Sequence, residues 1–145
     1  MILDKQNLFS DAQTLVASVG AFASTNVIDL GIARDIGGAT RPEMQLVCQI
    51  VTTYLASGGA STLTVALQTS ADNSSWTTLA SSAAIAKATL VAGYEFGFTY
   101  FPDPTSRYLR LLYTIATNDG TAGAITAGFA AAKDLQAYYA RGYTA

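Results

Sequence analysis

Histidine is missing from this chain, and with it the side chain whose ordinary pKa best suits proton transfer near neutrality. Triads of the Ser-His-Asp kind therefore cannot form. Cysteine occurs once, at Cys48 within the apolar run Leu46-Val47-Cys48-Gln49-Ile50-Val51, which excludes an internal disulfide framework and a cysteine-cluster zinc site. A lone thiol in such a run reads as a small core hydrophobe. Charge is scarce as well, at 12% of residues, where an ordinary soluble domain carries about 25%. The eight Lys and Arg are spread singly and the net charge is −2, so no basic stripe exists to neutralise a phosphate backbone and no nucleic-acid partner is expected. No uncharged apolar run approaches the roughly 20 residues of a membrane span. Asp4 stands where a signal peptide would carry its apolar segment, so the expectation is a soluble protein made in the cytoplasm with no membrane partner.

What is present is apolar and small. Half of the 145 residues are hydrophobic, and Ala, Ser, Thr and Gly fill much of the remainder. A chain of this length fits one domain and can bury roughly 70% of the surface its unfolded form exposes. So few charges on so apolar a chain imply that much of its outside faces other protein.

The pattern is that of strands. In Leu63 to Leu79, Leu63, Val65, Leu67 and Thr69 alternate with Thr64, Ala66, Gln68 and Ser70, the period-two signature of a strand with one buried and one wet face. The turn-forming run Ala71-Asp72-Asn73-Ser74-Ser75 follows, and Trp76-Thr77-Thr78-Leu79 returns, which makes a β-hairpin. Around it the sequence predicts strands over 26–30, 43–55, 94–101, 107–115 and 123–131, with 80–93 irregular into strand. Leu109, Leu111, Tyr113 and Ile115 are expected to face in, with Tyr108 and Arg110 facing out. Met44, Leu46, Cys48 and Ile50 share one face of a strand whose other face is also half apolar, which places it centrally or under a neighbouring subunit. Thr117-Asn118-Asp119-Gly120-Thr121 predicts a tight hairpin whose Asn, Asp and Gly tolerate positive φ. Residues 1–25 hold neither period for long and suggest an extended N-terminal arm; 134–145 suggest a C-terminal tail. Seven or eight strands without a long helix indicate an all-β sandwich over 26–133, of jelly-roll or related Greek-key topology.

Candidate chemistry is sparse. The ten Asp and Glu fall mostly in turns, and only Glu95 lies well inside a strand, so no carboxylate pair of fixed separation is promised. Asp72-Asn73 and Asn118-Asp119-Gly120 lack the ligand spacing of a calcium loop. The pairs Gly37-Gly38 and Gly58-Gly59 lack the strand, Lys-Ser/Thr and helix context of a phosphate loop. The expectation is therefore no enzyme, no catalytic residues, no metal and no cofactor.

The hairpin LTVALQTSADNSSWTTLA, the later SRYLRLLYT and the opening MILDKQNLFSDAQTL together resemble the jelly-roll capsid cement, or decoration, proteins of tailed bacteriophages. The resemblance runs over nearly the whole chain. It implies a structural role on the outer capsid surface of the virion, where oligomers bridge subunits of the major capsid protein and stabilise the shell; it carries no active-site residues. The partners expected are thus the major capsid protein and further copies of the chain itself, a dimer ahead of a trimer. The apolar and tyrosine-rich ends suit such contacts, so Leu3, Leu8, Phe9, Tyr138, Tyr139 and Tyr143 are the candidate partner-interface residues. The alternative is a carbohydrate-binding β-sandwich module of a phage tail or enzyme accessory domain, using Trp76, Tyr94 or Tyr108 as a stacking platform. A minor head-tail or fibre component is a third.

Overall fold

The structure is a computed structural model that describes residues 4–34, 36, 44–98, 102 and 106–131. Among these residues ten strands form in chain order: β1 Leu8–Thr14, β2 Gly20–Ala23, β3 Ile28–Asp29, β4 Met44–Ala56, β5 Thr62–Ser70, β6 Thr77–Ser81, β7 Ile85–Ala86, β8 Glu95–Phe98, β9 Tyr108–Ala116 and β10 Gly120–Ala131. Traced outward from the turn after β5, the chain is one folded antiparallel ribbon. β5 pairs with β6 and β7, β4 with β8, β2 and β3 with β9, and β1 with β10. The ribbon is rolled so that β10 lies beside β4 and β9 beside β5. Two sheets result, one ordered β1-β10-β4-β8 and the other β2-β9-β5-β6, with β3 on β9 and β7 on β5. This is a β-sandwich with the connectivity of a jelly roll, and the hairpin singled out in the sequence is the tip of its ribbon.

The period-two pattern does what it promises on the inner faces. Leu109, Leu111, Tyr113 and Ile115 of β9 alternate with half-buried residues and meet Leu63, Val65 and Leu67 of β5 in one sheet. Leu46, Cys48 and Ile50 of β4 and Ile125, Ala127 and Phe129 of β10 close the core from the other. β4 is central, flanked by β10 and β8, as its two half-apolar faces suggest. Burial pushes the Cys48 thiol up to about 12, so the sulfur sits in the core as a neutral hydrophobe.

The expected arm over 1–25 is corrected here. Leu8–Thr14 is an edge strand of one sheet and Gly20–Ala23 a strand of the other, so the sandwich begins well before residue 26. Phe9 is fully buried with its ring edge-on to Phe129, centroids 5.1 Å apart, and Leu15 is fully buried too. Sequence periodicity fails on β1 because its register with β10 slips twice, between Leu8 and Ser10 and again before Gln13, and Ala12 takes a positive φ of 46°. Each bulge re-phases the alternation. A polar chain running out from the core then fastens the strand. The Tyr113 hydroxyl donates to Ser10 Oγ at 2.8 Å, Ser10 donates to Gln13 Oε1 at 2.6 Å, and Gln13 Nε2 donates to the Ala23 carbonyl at 2.9 Å.

The turn before β10 is not the expected tight hairpin: β9 and β10 lie in different sheets, so the chain crosses between the layers there. The positive φ falls on Thr117, at 75°, not on Asn118, Asp119 or Gly120. Gly120 instead opens β10, and a Cβ there would collide with the Leu15 carbonyl oxygen. The glycine is needed for close approach of two backbones.

One exposed ion pair latches the short β3 to the start of β9. Arg107 Nε and Nη2 each stand 2.6 Å from a carboxylate oxygen of Asp29. The hydrogen bonds from Arg107, helped by the Gly31 N–H, hold Asp29 down at about 2. Asp72 is likewise held low, by the Ser74 hydroxyl, the Ser75 and Ser74 N–H groups and the Ser70 hydroxyl. A carboxylate depressed in the folded state stabilises fully above its unfolded pKa and loses that contribution as pH falls. The melting temperature should therefore drop between about pH 4 and pH 2, and Asp29→Asn should flatten that drop while lowering stability at neutral pH. An unchanged acid limb in the variant would remove the ion pair from the account.

Candidate functional site

Two outer faces remain after the core is closed, and they are built differently. On the β9-β5-β6 sheet, register brings Arg110, Gln68 and Thr78 into one row. Arg110 Nε donates to Gln68 Oε1 at 2.9 Å and Gln68 Nε2 donates to Thr78 Oγ1 at 3.2 Å, a polar ladder across three strands. Trp76, folded back by the turn, places its ring 4.1 Å from the Arg110 guanidinium carbon, a cation–π contact. Beside this row Arg107 lies 4.9 Å over the Tyr108 ring.

The row corrects a second expectation. The outer face of β5 is not wet: Ala66, Gln68 and Ser70 keep only 9%, 7% and 2% of their surface exposed. Arg110 and Trp76 cross over from the neighbouring strands, and the Ser70 hydroxyl turns into the loop to Asp72 Oδ1 at 3.0 Å. Desolvation in turn lowers the pKa of Arg110. Alternation along one strand carries no sign of this, because the covering groups belong to residues 8 and 42 positions away.

Among the described residues, the outer face of the other sheet is largely apolar, with Glu95 on β8 its charged group. Val51 and Leu55 of β4 stand 47% and 49% exposed, and Val91 is 49% exposed on the segment alongside. That segment is tied to β4 by Tyr54 N–H to the Leu90 carbonyl and Ala92 N–H to Thr53 Oγ1. The adjoining positions of β10 are Ala122 and Ala124. Toward β8, Gln49 donates to Glu95 Oε1 at 3.2 Å, so the acid inside a strand is an outward cross-strand partner. Among the described residues, no three or more Cys, Asp or Glu come together.

The candidate interface residues scatter. Leu8 is half-buried at the β1 edge, in a cleft of about 230 Å3 lined also by Lys5, Asp11, Thr25 and Asn26. Phe9, expected at a partner interface, is instead core, because the pairing of β1 with β10 sets its ring against Phe129. Leu3, Tyr138, Tyr139 and Tyr143 lie outside the described residues. Of the three aromatic platform candidates, Trp76 and Tyr108 share the outer face of one sheet. Tyr94 does not join them: it packs against the core and stacks on Phe96, centroids 5.8 Å apart. Sequence reasoning missed Val51, Leu55 and Val91 as a surface, although two half-apolar faces on β4 were its signal.

A jelly-roll β-sandwich with one apolar and one cation–aromatic outer face is the class that the fold defines. Residues 9–129 match the model of the Bbp16 family, and the chain belongs to that family. No curated protein matches it. The matched span begins at Phe9 and ends at Phe129, the two rings that meet in the core, so it covers both sheets from edge to edge.

Proposed function

We propose that this protein is a non-enzymatic capsid cement protein, which binds the outer surface of a phage head and stabilises it by bridging major capsid protein subunits. The observation that carries the reading is the exposure of the apolar side chains of Val51 and Leu55 on β4 and Val91 alongside it, on a face with little charge among the described residues. Membership of the Bbp16 family, of phage type, and the resemblance of LQTSADNSSW and RYLRL to decoration proteins support it. At roughly 25 cal/mol per Å2, covering the exposed halves of these three side chains, about 200 Å2, has a gross value of about 5 kcal/mol before ordering and association costs. A second reading, glycan binding, finds support in Trp76 and Tyr108 on a common face.

Co-sedimentation with assembled heads tests the first reading. The wild-type protein should pellet with heads, and Val51→Glu or Leu55→Glu should weaken that association about tenfold or more, because a charge would be buried unpaired. Both sites are half-exposed, so stability should change by no more than about 1 kcal/mol. Binding to a glycan array without binding to heads would favour the second reading.

A further inference from the structure

Among the described residues, the Arg110 guanidinium on β9 has no carboxylate partner. Arg107 is satisfied by Asp29, and Lys87 donates to the carbonyls of Ala56 and Gly58, both at 3.3 Å. Arg110 is fixed rather than mobile: Gln68 takes its Nε, and the Trp76 ring covers one flank of its plane. Its terminal Nη groups make no hydrogen bond among the described residues, although the site is desolvated enough to lower the pKa of the group. A held, part-buried, unpaired guanidinium is the arrangement that receives a carboxylate with two parallel hydrogen bonds.

We propose that the Arg110–Trp76 cluster is a carboxylate-binding site, and that its ligand is an Asp or Glu side chain of a partner protein docked on the β9-β5-β6 face. The choice of a protein over an acidic sugar follows from the neighbours. Gln68 spends its carbonyl on Arg110 and its amide on Thr78, and Ser70 gives its hydroxyl to Asp72, so the neutral groups nearest the guanidinium are already engaged. What remains is one cation beside an aromatic ring, the composition typical of the residues that dominate protein interfaces. The inference rests on the capsid reading for the identity of the partner, but not for the existence of the site.

The test has two arms. In the first, the isolated full chain is titrated with disodium glutarate, with sodium chloride at equal ionic strength as the blank and sodium galacturonate as the sugar arm, while the Arg110 Nε–H and Trp76 indole N–H resonances are followed. Saturable shifts of both under glutarate, absent under chloride and absent in Arg110→Gln, are expected. Shifts no larger than those in chloride would overturn the site, and galacturonate binding about tenfold tighter than glutarate would overturn the protein ligand in favour of a sugar. In the second arm, Arg110→Gln and Arg110→Lys are compared with wild type for association with heads, with melting curves as the check on folding. Both variants should lose about tenfold or more, since an ammonium cannot reproduce the planar fork. Wild-type loss of head binding would count against the capsid reading alone, and the glutarate arm would still decide the site.

Discussion

Removing residues 1–12, or replacing Phe9 by Ala, is expected to unfold or severely weaken the protein. The sequence alone suggests the opposite, since residues 1–25 look like an arm whose loss should spare the fold. The structure reverses this. Phe9 is fully buried against Phe129, and its neighbour Ser10 receives the buried hydroxyl of Tyr113 across the sandwich. A buried Phe cut to Ala costs about 3–5 kcal/mol, the lost transfer energy plus the cavity left behind. Deletion would add the loss of the β1–β10 ladder and leave the Tyr113 hydroxyl without its partner in the core. Chemical denaturation of Phe9→Ala against wild type measures the effect. A change under about 1 kcal/mol would mean that the strand is dispensable and the ring poorly packed.

The second large effect is expected at Gly97. This residue pairs with Val47 where β8 runs along β4, and a Cβ there would overlap the Leu46 carbonyl oxygen. The obstacle is backbone in a central strand, so it cannot rotate away as a side chain could. Gly97→Ala should push β8 off the sheet and disturb Phe96 and Phe98, which pack against the core from that edge. Forced overpacking of this sort costs about 1–3 kcal/mol or more. Faster amide exchange at 95–98, with a lowered denaturation midpoint, is the expected observation; native exchange rates there would show that the edge can re-seat itself.

How much of this was legible beforehand varied with how regular the alternation was. β9 could be read residue by residue, because Tyr108 to Ala116 hold a period of two in burial; on β5 the inner face of Leu63, Val65 and Leu67 was legible, while the burial of Ala66, Gln68 and Ser70 on the other face was not. β1 could not, since two register slips within seven residues erase the period in the sequence while keeping the strand in the sheet. The hairpin tip was visible from Asp72, Asn73 and the serines, yet its consequence was not. Trp76 returns over Arg110 and seals the outer side of β5, a contact between residues that no local pattern links. Composition foretold that part of the surface would be apolar. It could not say that Val51, Leu55 and Val91 would be the part, because Val91 reaches β4 only through hydrogen bonds made by the non-strand segment 90–93.

The two outer faces also divide the proposed work. The Val51–Leu55–Val91 patch offers area without direction, which suits adhesion, while Arg110 offers a directional contact, which suits register. In the proposed cement role both would serve, because a directional charged contact fixes the register that an apolar contact leaves free.

The most direct measurement is cryo-electron microscopy of phage heads assembled without this chain and then incubated with it. The account predicts a jelly roll of two four-position sheets standing on the outside of the shell at repeated positions, contacting major capsid subunits through the Val51 face, with Arg110 opposite a carboxylate. Heads that remain bare at saturating protein, or density found only at a tail or in a sugar complex, would contradict it.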